Sequence, residues 1–297
     1  MKIKFPLITA SMLSLSLAGS PLLAADDVKI TVQPVGEGIS MIMGKGGNIG
    51  LFTGEDGTFL IDDQFAPLTE KILQTIKEAG GATPKYLLNT HFHGDHTGGN
   101  ENLGNGGTLI FSHDNVRERL ARPSVIAAFN MRSPAKPKAA LPVVTFSDNL
   151  TLHINGETVR AIHVADAHTD GDSFIHFEKA NVIHAGDIFF NGFYPFIDAD
   201  HGGTLKGVIS AIDQILDLAD DSTRIIPGHG PIGDQAALAS YRAMLQTAYD
   251  RLRALKDDGK STEEAVAAKP LSDLEEKWGQ GIFSGDKWIQ VIYAAVR

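Results

Sequence analysis

Residues 89–100 read NTHFHGDHTGGN and put three histidines and an aspartate into six residues of a glycine-rich loop. A segment that only packs has no use for imidazoles side by side, because each buried polar group needs a partner of its own. A metal ion satisfies several of them at once. In an extended loop residues two apart point the same way, so His91 and His93 converge on one ion, while Asp95 and His96 aim at a second. The preceding PKYLLNT is a short apolar run that reads as a buried strand and delivers this loop at its C-terminal end.

The rest of the chain must supply the missing ligands, since a catalytic zinc takes about three from the protein and keeps one position open. Three residues stand where strands end: His168 in AHTDGD after TVRAIHV, Asp187 in HAGD after NVIHA, and His229 in PGHG after TRII. His168 completes the first set and His229 the second, with Asp187 bridging. The chain has no cysteine, which excludes a thiolate-rich structural site; imidazole with carboxylate suits zinc, iron or manganese.

Around these motifs the pattern alternates between strands and helices. ISMIMG, GGNIGLFTG and TFLIDDQF read as strands, with Glu55-Asp56-Gly57 turning between the last two. In TEKILQTIKEAGG, Leu68, Ile72, Ile76 and Ala79 share one helical face, and Gly80-Gly81 stops the helix. Residues 113–142 form a partly helical, Pro-broken excursion. Strands resume with PVVTF, LTLHI, TVRAIHV, DSFIHF and NVIHA, and Asn155-Gly156 makes a hairpin turn. TLKGVISAIDQILDLAD and residues 235–257 are helices. The expected fold is α/β, a four-layer αββα sandwich with loops converging at one edge.

HFHGDH, AHTDGD, HAGD and PGHG, in this order on this strand pattern, resemble the metallo-β-lactamase superfamily over nearly the whole chain after its leader. The resemblance implies a first metal on His91, His93 and His168, a second on Asp95, His96 and His229, and Asp187 shared. It implies two Zn2+ (Fe or Mn being alternatives) and hydrolysis of an ester, lactone, thioester or lactam bond, with Asp95 orienting water or carrying its proton. Two such ions about 3.5–4 Å apart hold a bridging water and acidify it. In β-lactamases of this superfamily the position of Asp187 is commonly Cys or Ser, and a carboxylate-binding Lys can stand where this chain has Phe190. Asp at that position looks more like glyoxalase II and lactonases. A class B-like β-lactamase, a mononuclear iron sulfur dioxygenase and a non-catalytic binding protein are the other readings.

His113, His153, His163 and His176 are expected to be hydrogen-bonded or surface residues, and His184 and His201 to lie near the site. FFNGFYPFIDADHGG is a loop whose Phe189, Phe190, Phe193 and Phe196 serve either as pocket wall or as core. Leu271, Leu274, Trp278, Ile282, Trp288 and Ile292 suggest C-terminal helices packed on the sandwich.

Residues 1–25, with Lys2 and Lys4 ahead of a short apolar run and small residues, have the layout of a secretory signal too short to span a membrane. Removing it takes the formal charge from −10 to −12, two lysines fewer. Export to a bacterial periplasm, and a single hydrolase domain over 26–297, follow as expectations. The acidic balance argues against nucleic acid as a partner; a small-molecule acyl substrate is the expected one.

Overall fold

The computed structural model describes residues 27–297, so the expected signal segment lies outside the described residues. The first sheet begins as an antiparallel meander, β1 (Thr31–Gly36), β2 (Ile39–Met43), β3 (Ile49–Gly54) and β4 (Gly57–Ile61). Helix α1 (Thr69–Glu78) then leads to β5 (Tyr86–Leu88), which lies parallel to β4. Two short helices, α2 (Gly94–Thr97) and α3 (Asn100–Asn105), precede β6 (Leu109–His113), and α4 (Asp114–Leu120) follows it. A small separate hairpin, β7 (Ser124–Ile126) and β8 (Met131–Ser133), comes before β9 (Val144–Phe146). β9 completes the order β1-β2-β3-β4-β5-β6-β9.

The second sheet is β10 (Asn149–Ile154), β11 (Glu157–His163), β12 (Ser173–Phe177), β13 (Val182–Phe190), β14 (Arg224–His229) and β15 (Gly233–Asp234), in chain order across the sheet. All neighbours are antiparallel except β13 and β14, which are joined through α5 (Leu205–Leu218). Helices α6 (Gln235–Asp257), α7 (Thr262–Ala267), α8 (Glu275–Trp278) and α9 (Gly285–Ile292) close the chain.

Alternation along the strands builds the layers, since successive side chains point to opposite faces. In β4, Phe59 and Ile61 join Phe52, Leu88, Ile175, Phe177 and Ile226 between the two sheets. Leu60, with Leu51 and Leu87, instead faces Ile72 and Ile76 of α1 and Leu103 of α3. Ile183 and Ala185 turn to Val208 and Ile212 of α5, Leu245 of α6 and Trp288 of α9. Helices therefore cover the outer face of each sheet, which is the expected αββα sandwich. Asn155 and Gly156 both have positive φ (53° and 73°), as a two-residue hairpin turn requires.

Four details depart from the sequence reading. β1 escapes a pattern search because Gln33 and Pro34 interrupt it, and proline is admissible there because β1 is an edge strand. β6 precedes the expected helical excursion, in a stretch to which the sequence reading gives no element; it is five residues long and buried from Ile110 to His113. β13 runs on through Asp187 to Phe190, because a bulge at Gly186 (φ 52°) lets the strand continue past the point where its apolar pattern breaks. Ile282 is exposed, whereas Leu271, Trp278, Trp288 and Ile292 are buried as expected.

The C-terminal helices hold the segment after β13 in place. The Trp288 ring stacks on Tyr194 at 4.4 Å, its indole N–H donates to the Pro195 carbonyl at 2.6 Å, and Tyr194 N–H donates to the Trp278 carbonyl. Trp288→Ala removes a fully buried ring and one end of that tether. Chemical denaturation is expected to show a loss of about 3–5 kcal/mol.

Candidate metal centre

The chain leaves β5 through Asn89 and Thr90, and a reciprocal pair of amide hydrogen bonds between Asn89 and Asn100 fastens the two ends of the histidine loop together. The loop rises at the edge where β13 and β14 also end, so ligands from 91–96, 168, 187 and 229 meet without any long excursion. Close approach is purchased with glycine. A Cβ on Gly47 would lie 2.0 Å from the His96 ring, and one on Gly228 would lie 2.0 Å from Asp187 Oδ1.

Two groups of ligand atoms result. His91, His93, His168 and Asp187 form one, and Asp95, His96 and His229 the other. In the first, His91 Nε2 and His168 Nε2 lie 3.1 and 2.9 Å from His93 Nδ1, and Asp187 Oδ2 is 3.7 and 3.4 Å from the same two Nε2 atoms. In the second, His96 Nε2 and His229 Nε2 are 3.4 Å apart, with Asp95 Oδ2 at 3.7 and 3.3 Å from them. Asp187 Oδ1 faces this second pair at 3.0 and 3.4 Å. Ligands about 2.0–2.1 Å from a tetrahedral ion stand about 3.3 Å from one another, so these separations have the right size. The seven residues singled out in the sequence are thus all brought together.

Hydrogen bonds behind the ligands decide what they present to the centre. His168 Nδ1 donates to the Phe196 carbonyl at 2.8 Å, and His93 Nε2 to Asp198 Oδ2 at 2.9 Å. Thr90 Oγ1 donates to Asp62 Oδ2 and so is free to accept from His91 Nδ1 at 3.0 Å. With these nitrogens carrying the ring protons, the other three turn lone pairs toward one another. That is unfavourable unless a cation lies between them. Asp187 Oδ1, buried, has no well-aligned hydrogen bond although the His96 and His229 Nε2 atoms stand 3.0 and 3.4 Å from it. The residues fit divalent metal ions.

The electrostatics agree. Burial, reinforced by the neighbouring imidazoles, pushes His91 well below the usual histidine range and His168 down to about 4, although Asp187 opposes this. Burial would also lower His96 and His229, but the Asp187 and Asp95 carboxylates outweigh it, raising His96 well above its ordinary value and His229 to about 9. Asp187 is depressed far below the carboxylate range and Asp95 falls to about 2, the facing imidazoles overcoming burial in both. The second group therefore holds protons that a cation would displace.

Several residues of the centre carry no motif. Asp62, fully buried with φ 63°, accepts from Thr90 N–H and O–H and from His96 Nδ1 at 2.7 Å. Asp198 joins His93 to His201, whose Nδ1 lies 2.7 Å from the same carboxylate oxygen. An acidic residue at the end of an apolar strand, as in TFLIDDQF, is the signal that could have found Asp62. His184 is buried behind the bulge. Its Nδ1 accepts from Gly186 N–H and its Nε2 lies 3.2 Å from the Asn48 carbonyl, so it braces the backbone that carries Asp187. His113 and His163 stack on each other at 3.6 Å, away from the ligands, and His153 is exposed. Of the phenylalanines, Phe189 packs on Tyr241 in the core, while Phe190 stacks on His229 at 5.0 Å and Phe196 lies 5.7 Å from both His93 and His168.

The sequence profile of the Metallo-beta-lactamase superfamily matches residues 43–229, which contain every ligand candidate. A probable metallo-hydrolase of Bacillus subtilis is 30% identical over 191 residues, 59% of this chain and 85% of that protein. A beta-lactamase-like protein 2 homolog of Caenorhabditis elegans is 25% identical over 179 residues; the match spans 59% of this chain and only 53% of the worm protein. Among solved structures, a metallo-beta-lactamase from Pontibacter korlensis superimposes with a TM-score of 0.60 at 21% identity, covering 73% of this chain and 99% of that one. The DIM-1 metallo-beta-lactamase gives 0.60 at 19% identity, covering 75% and 100%. At these identities the likeness is one of fold.

Asp62→Asn keeps the shape and tolerates the left-handed backbone but removes the charge that orients His96. Metal affinity, read by competition with a chromophoric chelator, is expected to fall about 10–100-fold. Unchanged affinity would reduce Asp62 to a purely structural role.

Proposed function

The chain belongs to the metallo-β-lactamase superfamily and is a metal-dependent hydrolase, and from that premise we propose that it uses two zinc ions to open an ester, lactone, thioester or lactam bond in a small acyl compound. The observation that carries this reading is the division of Asp187, whose Oδ2 faces the first set of imidazoles and whose Oδ1 faces the second. A site for one ion would not need both oxygens turned to separate groups.

His91, His93 and His168 would hold the first ion, Asp95, His96 and His229 the second, and Asp187 both. When bound, such a pair supplies Lewis acidity that polarises a carbonyl and makes water a nucleophile near neutral pH. The chain supplies position and proton traffic. His93 and His168 are held from behind by Asp198 and the Phe196 carbonyl, so their inner nitrogens cannot swing away. Asp95 and His229 are the solvent-facing members of the cluster, with side chains 28% and 20% exposed against 5% or less for the other five residues. Substrate and water therefore arrive on their side. The Asp95 carboxylate is the group placed to orient that water and accept its proton, which then passes to the leaving oxygen or nitrogen.

The absence of a cation at position 190 favours esters, lactones and thioesters over lactams. Phe190 lies flat against His229 where a charged side chain would have to reach, and it is fully buried.

Metal analysis of the purified protein, together with hydrolysis of a chromogenic cephalosporin, a homoserine lactone, an aryl ester and a glutathione thioester, tests the proposal. About two zinc per chain and chelator-sensitive turnover of at least one compound are expected. A single iron without hydrolysis would replace it with the sulfur dioxygenase reading. Asp95→Asn is expected to lower kcat by about 10²–10⁴-fold, with metal content measured in parallel to separate proton transfer from ligand loss.

A further inference from the structure

From Arg119 to Ser147 the chain holds five of its 26 lysines and arginines and none of its 36 acids. In a protein of formal charge −10 this stretch is a cationic island. Arg119 is paired with Asp170, and Arg122 lies 3.7 Å from Glu118 with both side chains exposed. Among the described residues Arg132, Lys136 and Lys138 make no ion pair.

The same stretch carries the β7–β8 hairpin, which belongs to neither large sheet. Turns favour Gly, Pro, Asn, Asp and Ser, yet this one is Ala127, Ala128 and Phe129, with Asn130 in the left-handed region (φ 50°). Val125, Phe129 and Met131 are 42%, 40% and 46% exposed, three of the seven large apolar side chains left exposed among the described residues. Such residues are informative when they gather in one place. Strand pairing sets Val125 opposite Arg132 and Met131 opposite Ile126, so Val125 and Met131 stand on opposite faces of the hairpin. Phe129 lies at the tip between them. The cations stand nearer the base. Arg132 follows Met131, Arg122 precedes β7, and Arg122 and Lys136 share a shallow groove with Met131.

We propose that this hairpin docks the protein peripherally on an anionic phospholipid bilayer. Val125, Phe129 and Met131 enter the boundary between headgroups and acyl chains, and Arg122, Arg132, Lys136 and Lys138 meet the lipid phosphates. Two observations select this occupant. Apolar side chains on both faces and at the tip are covered together only by a medium that surrounds the tip, whereas a flat partner covers one face. A bilayer interface also offers anionic charge immediately above an apolar layer, in the same order as cations and apolar tip follow one another along the hairpin. The acidic remainder of the chain is repelled by the same surface, which orients the approach. The inference goes beyond the hydrolase reading and does not depend on it.

The test is co-sedimentation of the full chain with vesicles of phosphatidylglycerol and phosphatidylcholine in equal parts, and with phosphatidylcholine alone. Residues 1–25 are common to every variant, so differences between variants read the hairpin. Binding to the anionic vesicles is expected, weakening as salt is raised, with far less binding to the neutral ones. Phe129→Ala is expected to weaken it about tenfold, and Arg132→Gln and Lys138→Gln about fivefold each. Leu218→Ala, which removes an exposed leucine on α5, is expected to leave it unchanged.

Phe129→Trp supplies a second readout, since Trp278 and Trp288 are buried. Its emission is expected to shift to the blue on anionic vesicles and to be quenched by lipids brominated in the acyl chains. Equal binding to neutral and anionic vesicles, or equal losses with Leu218→Ala and Phe129→Ala, overturns the proposal. Sedimentation that leaves the Phe129→Trp emission unmoved also overturns it, because another segment then makes the contact. A dimer that Phe129→Ala and Arg132→Gln both split, without vesicle binding, overturns it in favour of a second copy of the chain.

Discussion

Asp187 is a carboxylate buried among four imidazoles, and its two oxygens face two different sets of them. Almost every feature of the edge serves to keep it there. The bulge at Gly186 turns it out of a strand that otherwise continues through it, and His184 accepts the bulge's N–H from behind. Gly228 makes room for its Oδ1, which a Cβ would strike. Without a cation the arrangement is costly: one set of rings turns lone pairs inward, and the other must hold protons to balance the acids. The centre is stable as a binding site rather than as packed protein, and binding there stabilises the folded chain by linkage.

The sandwich explains how such a cluster can be held. Ligands sit at or just beyond the ends of buried strands, so the backbone that carries them is fixed by the core between the sheets, while the atoms that face the centre lie beyond it. The supporting hydrogen bonds come from a different part of the chain in each case: Thr90 behind His91, Asp198 behind His93, Asp62 behind His96 and the Phe196 carbonyl behind His168. Each support also fixes which ring nitrogen faces inward, so rigidity and tautomer are set together.

What the sequence discloses follows from this division of labour. The seven ligand candidates are legible because metal chemistry restricts residue type and because HFHGDH packs four of them into six positions. The layers are legible from alternation and from helical faces such as Leu68, Ile72 and Ile76. The supports are not, since Asp62 and Asp198 are ordinary acids until the fold brings them to His96 and His93. β6 and the continuation of β13 are hidden for a related reason: short buried strands carrying Ser112, His113 or Asp187 break the apolar run that identifies a strand. Ile282 matches the apolar pattern of its neighbours and yet lies outside the core.

The two kinds of aromatic residue around the centre make the same point about function. Phe190 and Phe196 both lie against ligand rings and both are buried, so they limit water around the imidazoles and strengthen the electrostatic interactions there. Phe129 touches the same surface from outside and stays exposed. A side chain needed only for stability would gain by burying itself further. Phe129 instead sits on a small hairpin separate from both sheets and meets the centre only through Phe196. The strands that carry the ligands are thus fixed by the core between the two sheets, while the hairpin belongs to neither sheet.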